Sequence, residues 1–103
     1  MLKWNDNCYI GKTVTDTENI RRRLEEGKIV PGIYLLTLSD NPRNLMEILP
    51  AVSLVQWSLA DLCPETIGIA AGKEEAFQLT EDIVREVYEE TGGVQVREYL
   101  KNR

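Results

Sequence analysis

Thr66-Ile67-Gly68-Ile69-Ala70, followed by Ala71-Gly72 and then by Lys73 through Thr91, is the stretch that decides the fold. The first five residues read as a short buried strand and the Ala71-Gly72 pair as a tight turn. The remainder reads as a long helix, on the strength of its period. At about 100° per residue, Ala76, Leu79, Thr80, Ile83, Val84, Val87 and Tyr88 share one side, with Phe77 at its edge. Glu74, Glu75, Gln78, Glu81, Asp82, Arg85, Glu86 and Glu89 take the other. One stripe therefore faces a core and one face is solvated. Glu81 and Arg85, and Arg85 and Glu89, are opposite charges four apart, a spacing that adds a few tenths of a kcal/mol per pair. Gly92-Gly93 stop the helix, and Glu89-Glu90 oppose its dipole, so the last turn is expected to fray.

Upstream, Cys8-Tyr9-Ile10-Gly11 is a candidate first strand. A helix follows to Glu26, with Thr15, Asp16 or Thr17 as its cap, a thin apolar stripe of Ile20 and Leu24, and Gly27 at its end. Pro31-Gly32 marks a turn before Ile33-Tyr34-Leu35-Leu36-Thr37-Leu38, an apolar run that suits a strand covered on both faces, as in a parallel sheet. Ser39-Asp40-Asn41-Pro42 then predicts another helix carrying Leu45, Met46, Ile48 and Leu49, closed by Pro50. Residues 51–63 read as one or two helical turns within a connector, and Val94 to Leu100 as a short final helix. The whole predicts a single α/β domain over residues 1–103, in strand-helix-strand-helix-strand-helix order. Its sheet is expected to be three-stranded and mostly parallel, with helices packed on it.

Composition narrows the chemistry. The chain has 103 residues, enough for one domain. No run approaches a membrane span and no apolar signal region follows Lys3, so a cytoplasmic location and no membrane partner are expected. There is no histidine. That removes the commonest general base, the histidine-activated nucleophiles and the usual zinc ligand, so the reading leans away from an enzyme. Neither a cofactor nor a metal is expected. The net charge is −5. Residues 1–52 carry seven basic and seven acidic side chains, and residues 53–103 carry five and ten. Such a chain is a poor general binder of nucleic acid, whose affinity comes mainly from neutralised phosphates. Cys8 and Cys63 make no disulfide framework.

Gly68-Ile69-Ala70 and Gly72 running into Glu74-Glu75-Ala76, Val87-Tyr88, Thr91-Gly92-Gly93 and Val96-Arg97-Glu98-Tyr99-Leu100 form a pattern. Gly32 to Leu38 and Asn44-Leu45 belong to it. The pattern resembles a small uncharacterised bacterial family of about this length. The resemblance covers nearly the whole chain and implies a complete protein. It implies no activity, and the segment 52–59 departs from it most.

Each candidate site has a plainer structural alternative. Gly68, Ala71, Gly72 and Lys73 form a strand-turn-helix at which backbone N–H groups can cradle a phosphate. The pattern is neither a dinucleotide fingerprint nor a Walker loop, and Glu74 and Glu75 in the first turn repel a phosphate. The alternative is that the glycines allow close helix–strand packing and a tight turn. Arg21-Arg22-Arg23 with Arg43 is a small basic cluster, which reads more simply as a solvated face. Cys63 beside Pro64 reads as a small buried residue rather than a reactive thiol. The carboxylate pairs Glu74/Glu75 and Asp82/Glu86 are solvation more often than acid and base. Leu54, Trp57 and Trp4 suggest an exposed apolar surface of the kind monomers rarely keep; the alternative is that they cap the core locally.

The leading expectation is a non-enzymatic regulatory or protein-interaction domain, self-associating as a homodimer through the region of Leu54, Trp57 and Trp4. The second is a small-molecule binder or weak enzyme that takes a phosphate-bearing ligand at residues 68–73.

Overall fold

The computed structural model describes residues 3–28, 30–38, 46–52 and 65–101. Its elements in chain order are β1 (Trp4–Ile10), α1 (Thr17–Glu25), β2 (Ile33–Leu38), β3 (Met46–Pro50), β4 (Thr66–Ala71), α2 (Lys73–Thr91) and α3 (Val96–Lys101). The four strands form one sheet in the order β1-β4-β2-β3. β1 runs parallel to β4, whereas β2 is antiparallel to both β4 and β3. Among the described residues no helix is long and apolar enough to cross a membrane.

This mixed α/β sheet corrects three expectations. Among the described residues it has four strands rather than three, and only the β1–β4 pairing is parallel. A strand also follows β2 where a helix carrying Met46, Ile48 and Leu49 was expected, which breaks the expected alternation; the start of that helix, at 39–45, lies outside the described residues. The fourth strand comes from Met46-Glu47-Ile48-Leu49-Pro50, a segment whose Leu, Met and Glu favour a helix in isolation. It pairs residue for residue with β2, from Leu38 opposite Met46 to Tyr34 opposite Pro50. Met46 and Ile48 face one layer of core and Leu49 the other, an alternation only a strand provides. The apolar run of β2 was correctly read as covered on both faces. That run reports coverage, not strand direction.

Coverage comes from helices on opposite sides. Leu36, Leu38, Ile67 and Ala70 of the sheet pack against Ala76, Leu79, Ile83 and Val87 of α2 and Val96 and Leu100 of α3. On the far face, Ile33, Leu35 and Ile69 pack with Leu24 of α1, Val30 and Ala51. The buried set on α2 is the centre of the stripe read from its period; Thr80 and Val84 are half-buried, and Tyr88 and Phe77, read with that side, are exposed. Gly92, with φ 75°, ends this helix.

β1 is the least regular strand. Trp4 lies opposite Thr66 and Tyr9 opposite Gly68, so six residues of β1 span three of β4. The surplus is taken up by Asn5-Asp6-Asn7, poor strand formers. Here the Asn5 carboxamide accepts from the Asn7 N–H at 2.9 Å. Asp16 is the residue preceding α1, in the left-handed conformation with φ 55° and no side-chain capping bond. Residues 51 and 52 make a tight helical turn after β3, and the rest of the 51–63 expectation lies outside the described residues.

Candidate functional site

The end of β4 and the loop after β1 meet the first turns of α2, and a cleft opens between them. Ile10, Gly11, Lys12 and Thr13 line one wall; Glu74, Glu75, Gln78, Leu79 and Asp82 line the other. Its volume is about 500 Å³, within the range of small-molecule sites. It lies at the carboxyl ends of the parallel pair β1 and β4, where open α/β sheets take their ligands.

The polar centre of the cleft is the Glu75 carboxylate. Its Oε1 accepts from the Thr13 N–H and the Thr13 hydroxyl, both at 2.9 Å. Its Oε2 accepts from the Ala71 N–H at 2.6 Å. None of these donors belongs to α2, so the helix supplies the anion and the strand ends supply its seat. Gly11 makes room: a Cβ there would stand 2.4 Å from Oε2. Other bonds hold the seat in place, from Gly11 N–H to the Ile69 carbonyl at 2.8 Å and from Val14 N–H to the Gly11 carbonyl at 3.1 Å. Desolvation in the cleft raises the Glu75 pKa, but the bonds from Ala71 and Thr13 outweigh it and leave the pKa below the ordinary carboxylate value.

The four residues singled out for a ligand take different parts. Gly68 is buried, and a Cβ on it would lie 3.3 Å from Leu79 Cδ2 and 3.4 Å from both Leu36 Cβ and the Tyr9 carbonyl oxygen. It is a spacer between strand and helix. Ala71 contributes its N–H to the seat. Gly72 precedes α2 at φ 95° and ψ 156°, a conformation open essentially to glycine alone. Its N–H donates to the Gly32 carbonyl at 2.7 Å. The Lys73 ammonium lies 5.8 Å from the centre of the Phe77 ring. None of these four lines the cleft: Ala71 reaches it only through its N–H, and Gly11 and Thr13 were not among the sequence candidates. A glycine one residue past a strand, with a hydroxyl residue two further on, was the available signal.

The remaining candidates separate. Trp4 is half-buried against the α1-side core, donates its indole N–H to Glu25 at 3.0 Å and carries the Arg21 guanidinium 4.8 Å above its ring. Arg21 also donates to the Cys8 sulfur at 3.3 Å. Burial raises the Cys8 pKa, only partly countered by Arg21. Leu54, Trp57, Cys63 and Arg43 lie outside the described residues. Asp82 accepts from Gln78 at 3.0 Å, while Glu86 accepts from the Tyr9 and Tyr99 hydroxyls, so this pair does not act as one unit. Among the described residues, no three acidic or cysteine side chains gather as a metal site.

Fold and site together define a small mixed α/β domain with an open cleft at the carboxyl ends of its parallel strands. No protein-family model matches the chain, and none of the curated proteins or solved structures matches it.

Proposed function

We propose that this domain binds a small molecule in the cleft between the β1–α1 loop and α2. The observation that supports the reading is a cleft of about 500 Å³ at the ends of the parallel strands, whose polar centre, the Glu75 carboxylate, is held by two backbone N–H groups and a hydroxyl. Few polar groups placed in a concave site are what fix a ligand's orientation. The reading is of binding rather than catalysis. Gln78 is exposed on the cleft wall, so Gln78→Trp fills the cleft without disturbing the core. Protein-observed NMR against a library of small metabolites is the test. Ligands that bind the wild type should lose their affinity in Gln78→Trp, and ligands that bind both equally would place the site elsewhere.

Self-association is the second reading, favoured by two exposed aromatics on α2. Phe77 is 52% exposed and Tyr88 60%. At eleven residues apart they project to the same side of a helix. A second copy of the chain covering this ridge would remove both from water. Sedimentation should then show a dimer that Phe77→Ser with Tyr88→Ser converts to monomer; a wild type monomeric at all concentrations would sink the reading.

A further inference from the structure

We infer that the seat occupied by Glu75 is a carboxylate subsite, and that Glu75 is a built-in competitor which a small carboxylic acid must displace to enter the cleft. The inference rests on the cleft-binding reading and names its ligand class.

Three features carry it. The seat exists apart from its occupant, because its donors lie on the β1–α1 loop and the end of β4, while the anion arrives on a side chain of α2. The bonds from Gly11 N–H to the Ile69 carbonyl and from Val14 N–H to the Gly11 carbonyl hold the loop that carries Thr13, and Ala71 is held as part of β4, both independently of Glu75. The seat is also cut for a planar group with two oxygens: Thr13 serves one oxygen, Ala71 the other, and Gly11 clears the space over the second. A tetrahedral phosphate would bring more oxygens and more charge against Glu74 and Asp82 on the cleft wall. Finally, the seat is reachable. Thr13 is exposed, Glu75 is partly exposed, and the seat opens into the cleft, where Ile10, Gln78 and Leu79 can receive the rest of an acid. Lys12 at the rim supplies the opposite charge.

The energetic logic is that of a partly blocked site. A ligand's apparent affinity falls by the fraction of time its site is free. Glu75 is tethered beside the seat, so its effective concentration there is high. Only an acid that gains further contacts in the cleft displaces it, which makes the carboxylate a discriminator against bare anions.

The experiment removes the competitor. Sodium formate and sodium acetate are titrated into wild type and Glu75→Ala at constant ionic strength, with the amide signals of Thr13 and Ala71 followed by NMR. In Glu75→Ala both amides should shift saturably, and the melting temperature should rise with acetate. In wild type the same response should be at least about tenfold weaker, since the seat is mostly filled. Failure of both amides to saturate in Glu75→Ala, equal responses in the two proteins, or saturation by inorganic phosphate in place of carboxylates would each overturn the inference. Should Glu75→Ala not fold, Glu75→Gln leaves a neutral, weaker occupant in the seat, and the same two amides should respond to acetate more strongly than in wild type; a response no stronger would overturn the inference. The arms also separate the two readings. A ligand lost on Gln78→Trp whose affinity is unchanged by Glu75→Ala leaves the cleft standing and removes the competitor. Ligands indifferent to Gln78→Trp remove the cleft itself.

Discussion

Gly68 shows how much a single missing Cβ decides. In the sequence it belongs to a possible phosphate loop; in the fold it lies under Leu79 and Leu36 with the Tyr9 carbonyl beside it. Two of these neighbours are fixed, one by backbone and one by the strand that carries it. Gly68→Ala should therefore destabilise the domain by about 1–3 kcal/mol, the usual cost of overpacking, measured by urea unfolding. Combining it with Leu79→Ala should cost less than the sum of the two, because the same space is contested. Glu75 gives a second prediction at this scale. Its pKa is lowered on folding, so the folded state binds that proton less readily than the unfolded chain. Its contribution is complete above the ordinary carboxylate range and is lost as pH falls through its own lower value. The stability gap between wild type and Glu75→Gln should be widest near neutrality and close toward acid; a gap constant with pH would show that the carboxylate is not held as described.

Among the elements, α2 was the most legible, although Tyr88 and Phe77, read with its apolar side, are exposed. Its stripe, its start after Gly72 and its end before Gly92 were all in the residues, because a long amphipathic helix carries its own period. β3 was not legible. Five residues that favour a helix become a strand because β2 offers a complete ladder, and such pairing is written in another part of the chain. The cleft falls between these cases: its helical wall follows from local pattern, whereas Thr13 reaches Glu75 across 62 positions. A similar long reach ties α2 to its neighbours. The Tyr9 hydroxyl on β1 and the Tyr99 hydroxyl on α3 both donate to Oε2 of Glu86, at 2.5 and 2.9 Å. Glu86→Ala removes the shared acceptor and should cost roughly 1–3 kcal/mol. Loss of that order in chemical denaturation, with Tyr99→Phe costing less, would fit a shared carboxylate; a neutral Glu86→Ala would not.

For the molecule as a whole, the class was readable and the connectivity was not. Strands alternating with helices announce an α/β domain, but strand order depends on which edges meet, and no local pattern records it. The result places β4 and β2 in the interior and leaves β1 and β3 outermost among the described strands. Hydrogen exchange should follow that layout. Amides of Leu35, Leu36, Ile69 and Ala70, on fully buried residues of the inner strands, should exchange slowest. Those of Asn5 to Asn7, in the irregular part of β1, should exchange soonest. Uniform protection across the four strands would contradict this ordering.

The place of β4 between β1 and β2 has a consequence in time. A chain made from its amino terminus releases β1 first, yet the strand that β1 must lie beside is the last of the four to be synthesised. Roughly sixty residues separate the end of β1 from the end of β4, about 3–12 s of translation at 5–20 residues per second. Through that interval the nascent β1 has no partner in its own sheet. Its Asn5-Asp6-Asn7 stretch, too polar and too irregular to invite a neighbouring chain, suits a strand that must wait on the ribosome.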